Sequence, residues 1–141
     1  MKARFTLLLA GLLFGAAGAS AQTLRVDLQG VAHAQGSLRL ALYAAPETFR
    51  KADKAFRTRE QAAATGTVSV VFEDLPPGRY ALLAYHDENG DGQLNRRLGM
   101  FPTEGYGLSN NPEVMGPPTF EASAFEVTGE APAHLAVDMR Y

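Results

Sequence analysis

Cysteine is absent from this chain of 141 residues. Disulfide staples, thiol catalysis and cysteine-ligated zinc are therefore excluded. Stability has to come from apolar burial, helped at most by a bound ion. Histidine is scarce: only His33, His86 and His134 occur, and no two stand at the spacing of a metal-ligating pair. Internal repeats and low-complexity tracts are missing too. So is a basic excess. Taking Lys2 and Arg4 of the leader from 13 basic residues leaves 11 against 15 acidic, a net charge of −4. That balance disfavours nucleic acid and an anionic membrane surface as partners.

The one sustained apolar run lies at the start. Lys2 and Arg4 precede Phe5 to Ala17, and Ala19-Ser20-Ala21 is a small-x-small cleavage site. Residues 1–21 read as a secretory signal peptide, with Gln22 opening the mature chain. A membrane anchor needs a longer run, and Gly11, Gly15 and Gly18 argue against one. The expected product is exported, periplasmic or extracellular, with no membrane span after cleavage. The remaining 22–141 suffice for one domain with a real core.

Hydrophobicity in the mature chain has a period of two. Leu24, Val26 and Leu28 alternate with Arg25, Asp27 and Gln29, and Leu38, Leu40 and Leu42 alternate with Arg39, Ala41 and Tyr43. Val68, Val70 and Phe72 continue the pattern. So do Tyr80, Leu82 and Ala84, then Phe125 and Val127, and finally Leu135, Val137 and Met139. Such alternation is the mark of half-buried strands. Turn chemistry at Gln35-Gly36, Pro76-Pro77-Gly78 and Gly129–Pro132 separates them. The expectation is an all-β antiparallel β-sandwich, Ig-like or transthyretin-like, of six or seven strands. One short helical turn is expected between Pro46 and about Arg57, with Phe49 and Phe56 docking it. Its basic residues, Arg50, Lys51, Lys54, Arg57 and Arg59, read as a solvated face. Arg57–Ala64 can add a short edge strand.

Asp87 to about Phe120 breaks the alternation, and a loop of that length inside a domain is usually functional or disordered. Leu98, Met100, Phe101, Tyr106, Leu108, Met115 and Phe120 imply that this one is ordered and folds back on the sheet. It begins Asp87-Glu88-Asn89-Gly90-Asp91-Gly92-Gln93, with oxygen-bearing side chains at positions 1, 3 and 5 and Gly at 6. That is the first half of a Ca²⁺ loop, and Gln93 can offer its carbonyl at position 7. Position 12 is Leu98 rather than the closing glutamate, so a further ligand must come from elsewhere, and Glu104 is the best candidate. Weak binding, about 10⁻⁴–10⁻³ M, is then expected. The competing interpretation is a polar turn, because Asn-Gly and Asp-Gly suit positive φ wherever it is needed.

His86 shares a strand face with Leu82 and Ala84. It is either a structural hydrogen-bonding residue or a functional one, a general base, a transition-metal ligand or part of a ligand site. Tyr106, Asn110 and Asn111 lie in a Gly-rich stretch suited to a polar ligand, or else form Asx-turns with their own backbone. Ser109, Glu104 and His86 supply residue types used by hydrolases, yet no nucleophile elbow or triad spacing joins them.

Three runs together resemble a known family: Leu75-Pro76-Pro77-Gly78-Arg79-Tyr80-Ala81, Tyr85-His86-Asp87-Glu88-Asn89-Gly90-Asp91-Gly92, and Gly99-Met100-Phe101-Pro102-Thr103-Glu104-Gly105-Tyr106-Gly107-Leu108-Ser109-Asn110-Asn111. Gly36–Tyr43, Gly116–Glu121 and Ala124-Phe125 also fit. The pattern resembles a bacterial family of small exported proteins of unknown function, across essentially the whole mature chain. Leu108 departs from it, since Phe is common there. The resemblance implies a signal peptide and a β-sandwich, and no established activity. The Leu-Pro-Pro-Gly-x-Tyr turn is also similar to transthyretin-like and carboxypeptidase-regulatory-like sandwiches, which speaks to fold alone. The leading expectation is a non-catalytic binding or structural module acting on an envelope ligand or protein. An extracytoplasmic enzyme using Glu104 and His86 as acid and base on an envelope polymer is the alternative.

Overall fold

Cross-strand pairing follows the alternation. In the computed structural model, which describes residues 20–141, β1 (Gln22–Val31) lies antiparallel to β4 (Gly66–Leu75). Leu24 faces Phe72, Val26 faces Val70 and Leu28 faces Val68, so one face of the pair is wholly apolar. The proposed signal peptide lies outside the described residues as far as residue 19. No described helix is long and apolar enough to cross a membrane.

The second sheet is built on β2 (Ser37–Tyr43), β3 (Arg57–Ala62) and β5 (Gly78–Asp87). β3 is the expected edge strand, pairing β2 from Ser37↔Ala62 to Leu42↔Arg57. On the other side of β2, Leu40 pairs with Ala84 and Leu42 with Leu82 on the inner face, while Arg39 pairs with Tyr85 on the outer. The inner faces of the two sheets meet in one core that includes Leu24, Val26, Leu40, Phe72, Leu82 and Val137. The architecture is a β-sandwich with a three-stranded and a five-stranded layer.

Among the described residues ten strands form rather than six or seven. The additions lie inside the excursion: β6 (Arg96–Arg97), β7 (Phe101–Pro102) and β8 (Tyr106–Leu108). Strands of two or three residues are too short to show a period. β9 (Ala124–Val127) pairs the first half of β5, and β8 pairs its second half. β10 (Ala133–Asp138) then crosses to the other sheet and runs parallel to β1, matching Leu24 with Ala133 and Leu28 with Val137. This corrects the wholly antiparallel expectation. Alternation fixes which face is buried, but it carries no information on strand direction.

The expected helical turn becomes two 3₁₀ turns, Pro46–Thr48 and Ala52–Lys54. Phe49 docks between Tyr43 and Phe120, edge-on to each at 5.4 and 6.0 Å. Phe56 stays largely exposed, its ring 5.5 Å from Tyr80. A single helical turn not foreseen, α1 (Phe120–Ser123), is capped by the Thr119 hydroxyl accepting from Ala122 N.

The excursion does fold back, though with fewer anchors than expected. Tyr106, Leu108 and Phe120 join Tyr43, Phe49 and Leu83 in a second apolar cluster on the outer face of the five-stranded sheet. Leu98, Met100, Phe101 and Met115 remain exposed, Leu98 at 80 % and Met115 at 99 %. Leu98 and Gly99 both have positive φ, 55° and 67°, at the tip of the β6–β7 hairpin. The three-residue connection 98–100 that follows leaves Leu98 and Met100 in solvent.

A carboxylate cluster at the end of β5

β5 ends in two adjacent buried polar side chains on opposite faces: His86 on the inner face with Leu82 and Ala84, and Asp87 on the outer face with Arg39 and Tyr85, beneath the loop that follows. Asp87 and His86 are both 0 % exposed. Asp87 receives Arg39 Nε at 2.8 Å, so each group offsets the other's desolvation, and the bond holds Arg39 above its usual range. The same carboxylate accepts Asp91 N at 3.1 Å and Gly92 N at 2.8 Å, folding the next five residues back over itself. Gly90 and Gly92 permit this at φ 74° and 75°. The Tyr85 hydroxyl donates to Gly92 O at 2.8 Å and holds the loop from the outer face.

Asp91 organises the second turn. Its carboxylate accepts Asn95 Nδ2 at 2.7 Å and Gln93 N at 2.9 Å, and these bonds hold it below the ordinary carboxylate range. Asn89 accepts Asp91 N through Oδ1 and donates through Nδ2 to Asn95 Oδ1 at 3.1 Å. Glu104 folds back as the sequence suggested and is 6 % exposed. Its two oxygens accept Glu88 N at 3.2 Å and Asn95 N at 3.1 Å.

One carboxylate oxygen each from Asp87, Asp91 and Glu104 comes within 4.8 Å of the other two. Of the five candidate metal ligands, these three converge and Asn89 borders them. Gln93 is exposed and joins the cluster through its backbone N–H. Arg39 and Asn95 were missed by sequence reasoning. The Arg39 contact depends on strand register, which the sequence does not state, whereas Asn95 stands four residues after Asp91, a spacing that an Asx-rich turn can use.

His86 has no nitrogen to spare. Tyr141 Oη accepts Ala32 N at 3.1 Å and donates to His86 Nδ1 at 2.7 Å. His86 Nε2 therefore carries the proton and donates to Gln35 O at 2.6 Å. The fold also brings together two histidines that sequence spacing keeps apart, with the His33 and His86 rings 4.5 Å apart. His33 Nδ1 accepts Gln35 N at 3.2 Å, so its Nε2 donates to Glu88 Oε1 at 3.0 Å.

Asn110 and Asn111 sit at φ 66° and 46° with their amides committed to the backbone. Asn110 donates to Ala124 O at 2.7 Å, while Asn111 donates to Ala136 O at 3.1 Å and accepts Asp138 N at 2.8 Å. Tyr106 lies half-buried against the second apolar cluster. Ser109 is buried, its hydroxyl accepting Leu82 N at 2.9 Å and donating to Ser123 O. These residues fasten the excursion to the sheets.

One serine, aspartate and histidine do meet, on the outer face of the three-stranded sheet. Asp27 accepts Ser69 Oγ at 2.5 Å, His134 Nε2 at 2.7 Å and Arg25 Nε at 3.0 Å. With the carboxylate in the middle, the hydroxyl bonds no imidazole that could take its proton, unlike a nucleophilic triad. The Ser69 bond first, then those of His134 and Arg25, lower Asp27 to a pKa of about 2.

Neither the curated proteins nor the solved structures returned a match. A family model does match, over residues 26–134, and this range takes in β2 to β9, most of β1 and the carboxylate cluster. On that match the chain belongs to the family described as an uncharacterized protein conserved in bacteria, DUF2141.

Proposed function

We propose that the chain is an exported, non-catalytic binding or structural module of the cell envelope, its long excursion ordered by Ca²⁺. The observation behind this reading is the convergence of the Asp87, Asp91 and Glu104 carboxylates. Arg39 is the only basic side chain paired to any of them among the described residues, and it is shared with Glu60 at 3.2 Å. Negative charge is in excess, which favours a cation. Carboxylates on a flexible Asx-rich loop suit Ca²⁺, which accepts irregular coordination, better than Mg²⁺, which demands a near-ideal octahedron. Asn89 Oδ1, which already contacts Asp91 N, and the Gln93 carbonyl are the further ligands proposed, and water would complete the shell.

The loop's own N–H groups already satisfy much of this carboxylate surface, so an ion adds to an existing fold. At 10 mM Ca²⁺, a Kd of about 10⁻⁴–10⁻³ M corresponds to roughly 1.4–2.7 kcal/mol of added stability. We expect the melting temperature of mature protein to rise by about 5–10 °C over that in chelator. Mg²⁺ should do less, and Asp91→Asn, which keeps the turn but removes a charge, should erase most of the rise. Identical melting in calcium and chelator would sink the metal reading. Acid–base catalysis is not the function proposed: His86 spends both nitrogens on internal bonds, and Glu104 spends both oxygens on backbone N–H groups.

A further inference from the structure

A pocket of about 530 Å³ opens on the outer face of the five-stranded sheet, within the range of small-molecule sites, roughly 300–1,000 Å³. Leu83 and Tyr106 line it from the sheet, Met100 and Phe101 from the β6–β7 hairpin, and Met115 and Pro118 from the loop between β8 and α1. The carboxylate cluster takes no part in it. Three of its apolar lining residues, Met100, Phe101 and Met115, are the exposed side chains that failed to find a place in the core.

Its charge is of one sign. Arg50 and Arg96 both line the pocket, and no aspartate or glutamate does, although acidic residues outnumber basic ones in the chain. Neither guanidinium has a hydrogen-bond or ion-pair partner among the described residues. Arg97 is likewise without a partner among the described residues but does not line the pocket, whereas Arg57, Arg59 and Arg140 bond Asp74 O, Val71 O and Pro112 O. Arg50 is also held at φ 65°, a conformation that non-glycine residues adopt at a cost and that recurs at ligand sites. An apolar pocket carrying two unpartnered guanidinium groups is complementary to a molecule with an apolar body and an anionic head.

We propose that this pocket binds a single-chain amphiphile with a carboxylate head, a medium-chain fatty acid in monomeric form. Its chain lies on Leu83, Met100, Phe101 and Met115, and its head bonds Arg50 and Arg96. This deepens the binding-module reading and rests on it, but it is independent of calcium. The assay is therefore run in chelator, so that loss of the calcium effect and loss of ligand binding are read separately. A dansyl-labelled undecanoate is bound to full mature protein and displaced with decanoate, decanol or decyltrimethylammonium. Decanoate should displace the probe saturably and at least tenfold more tightly than the cationic amphiphile. Arg50→Gln combined with Arg96→Gln should weaken decanoate at least tenfold and leave decanol unchanged. Absence of saturable displacement, equal affinity for the cationic head, or an unaltered double variant each overturns the assignment. So does binding to phosphatidylglycerol vesicles without displacement by monomeric decanoate, which would make the patch a membrane contact. Should the double variant fail to fold, the comparison of head groups on the unaltered protein decides.

Discussion

Asp27 draws three donors to one carboxylate on the outer face of the three-stranded sheet, and this gives a signed pH dependence. Its pKa of about 2 lies below the ordinary 3.8, so folding favours the charged form. The stabilisation is complete above the unfolded value and is lost as pH falls from about 4 through 2. Partial solvent exposure screens it, leaving on the order of 1 kcal/mol. Urea midpoints at pH 6, 4, 3 and 2 should converge for the native sequence and Asp27→Asn as the pH drops. Parallel profiles would assign the acid sensitivity to other carboxylates. The acidic loop is the part of the site most legible at this scale, because Asp-x-Asn-x-Asp-Gly is a local pattern and its Asx bonds span only two to six residues. Arg39, His33 and Tyr141 were not legible as its neighbours, since their contacts are made 48 to 55 residues away.

At the scale of the element, the excursion is fixed by close backbone approach more than by its large apolar residues. Gly107 in β8 lies so near β10 that an added Cβ would stand 2.6 Å from Val137 Cγ1 and 2.9 Å from Asp138 O. Backbone cannot yield as a side-chain tip does. Gly107→Ala should cost about 1–3 kcal/mol by overpacking, read as a lower denaturation midpoint. Gly116→Ala, with nothing within 4 Å of its added Cβ, should move stability by less than about 0.5 kcal/mol. Equal effects at the two positions would refute the packing account. The strands of the sandwich were readable because a buried face imposes alternation on every residue of a ten-residue element. Within the excursion no such constraint operates. Hydrophobicity alone marks Leu98 and Leu108 alike, yet Leu98 takes a hairpin tip and Leu108 a buried position against β5.

At the scale of the molecule, the two layers and the excursion are joined by one run of chain. β10 pairs with β1 in the three-stranded sheet, and just beyond it Arg140 exchanges backbone hydrogen bonds with Tyr106 of β8. Asn111 bonds the backbone of Ala136 and Asp138. Tyr141 completes the clasp. Its ring occupies the space a Cβ on Gly105 would need, and its hydroxyl bridges Ala32, after β1, to His86 on β5. Burial holds that hydroxyl above its usual pKa, so it stays protonated and able to donate to His86 Nδ1. Tyr141→Phe keeps the ring and removes only the oxygen, leaving an acceptor on a fully buried histidine without a donor. Such a loss costs about 1–3 kcal/mol. Tyr106→Phe is the control, because the Tyr106 hydroxyl makes no hydrogen bond among the described residues, and it should be neutral within about 0.5 kcal/mol. If Tyr141→Phe unfolds at the same denaturant concentration as the native sequence, the bridge contributes nothing, and the layers are joined by their apolar interface and the backbone bonds of Arg140 and Asn111.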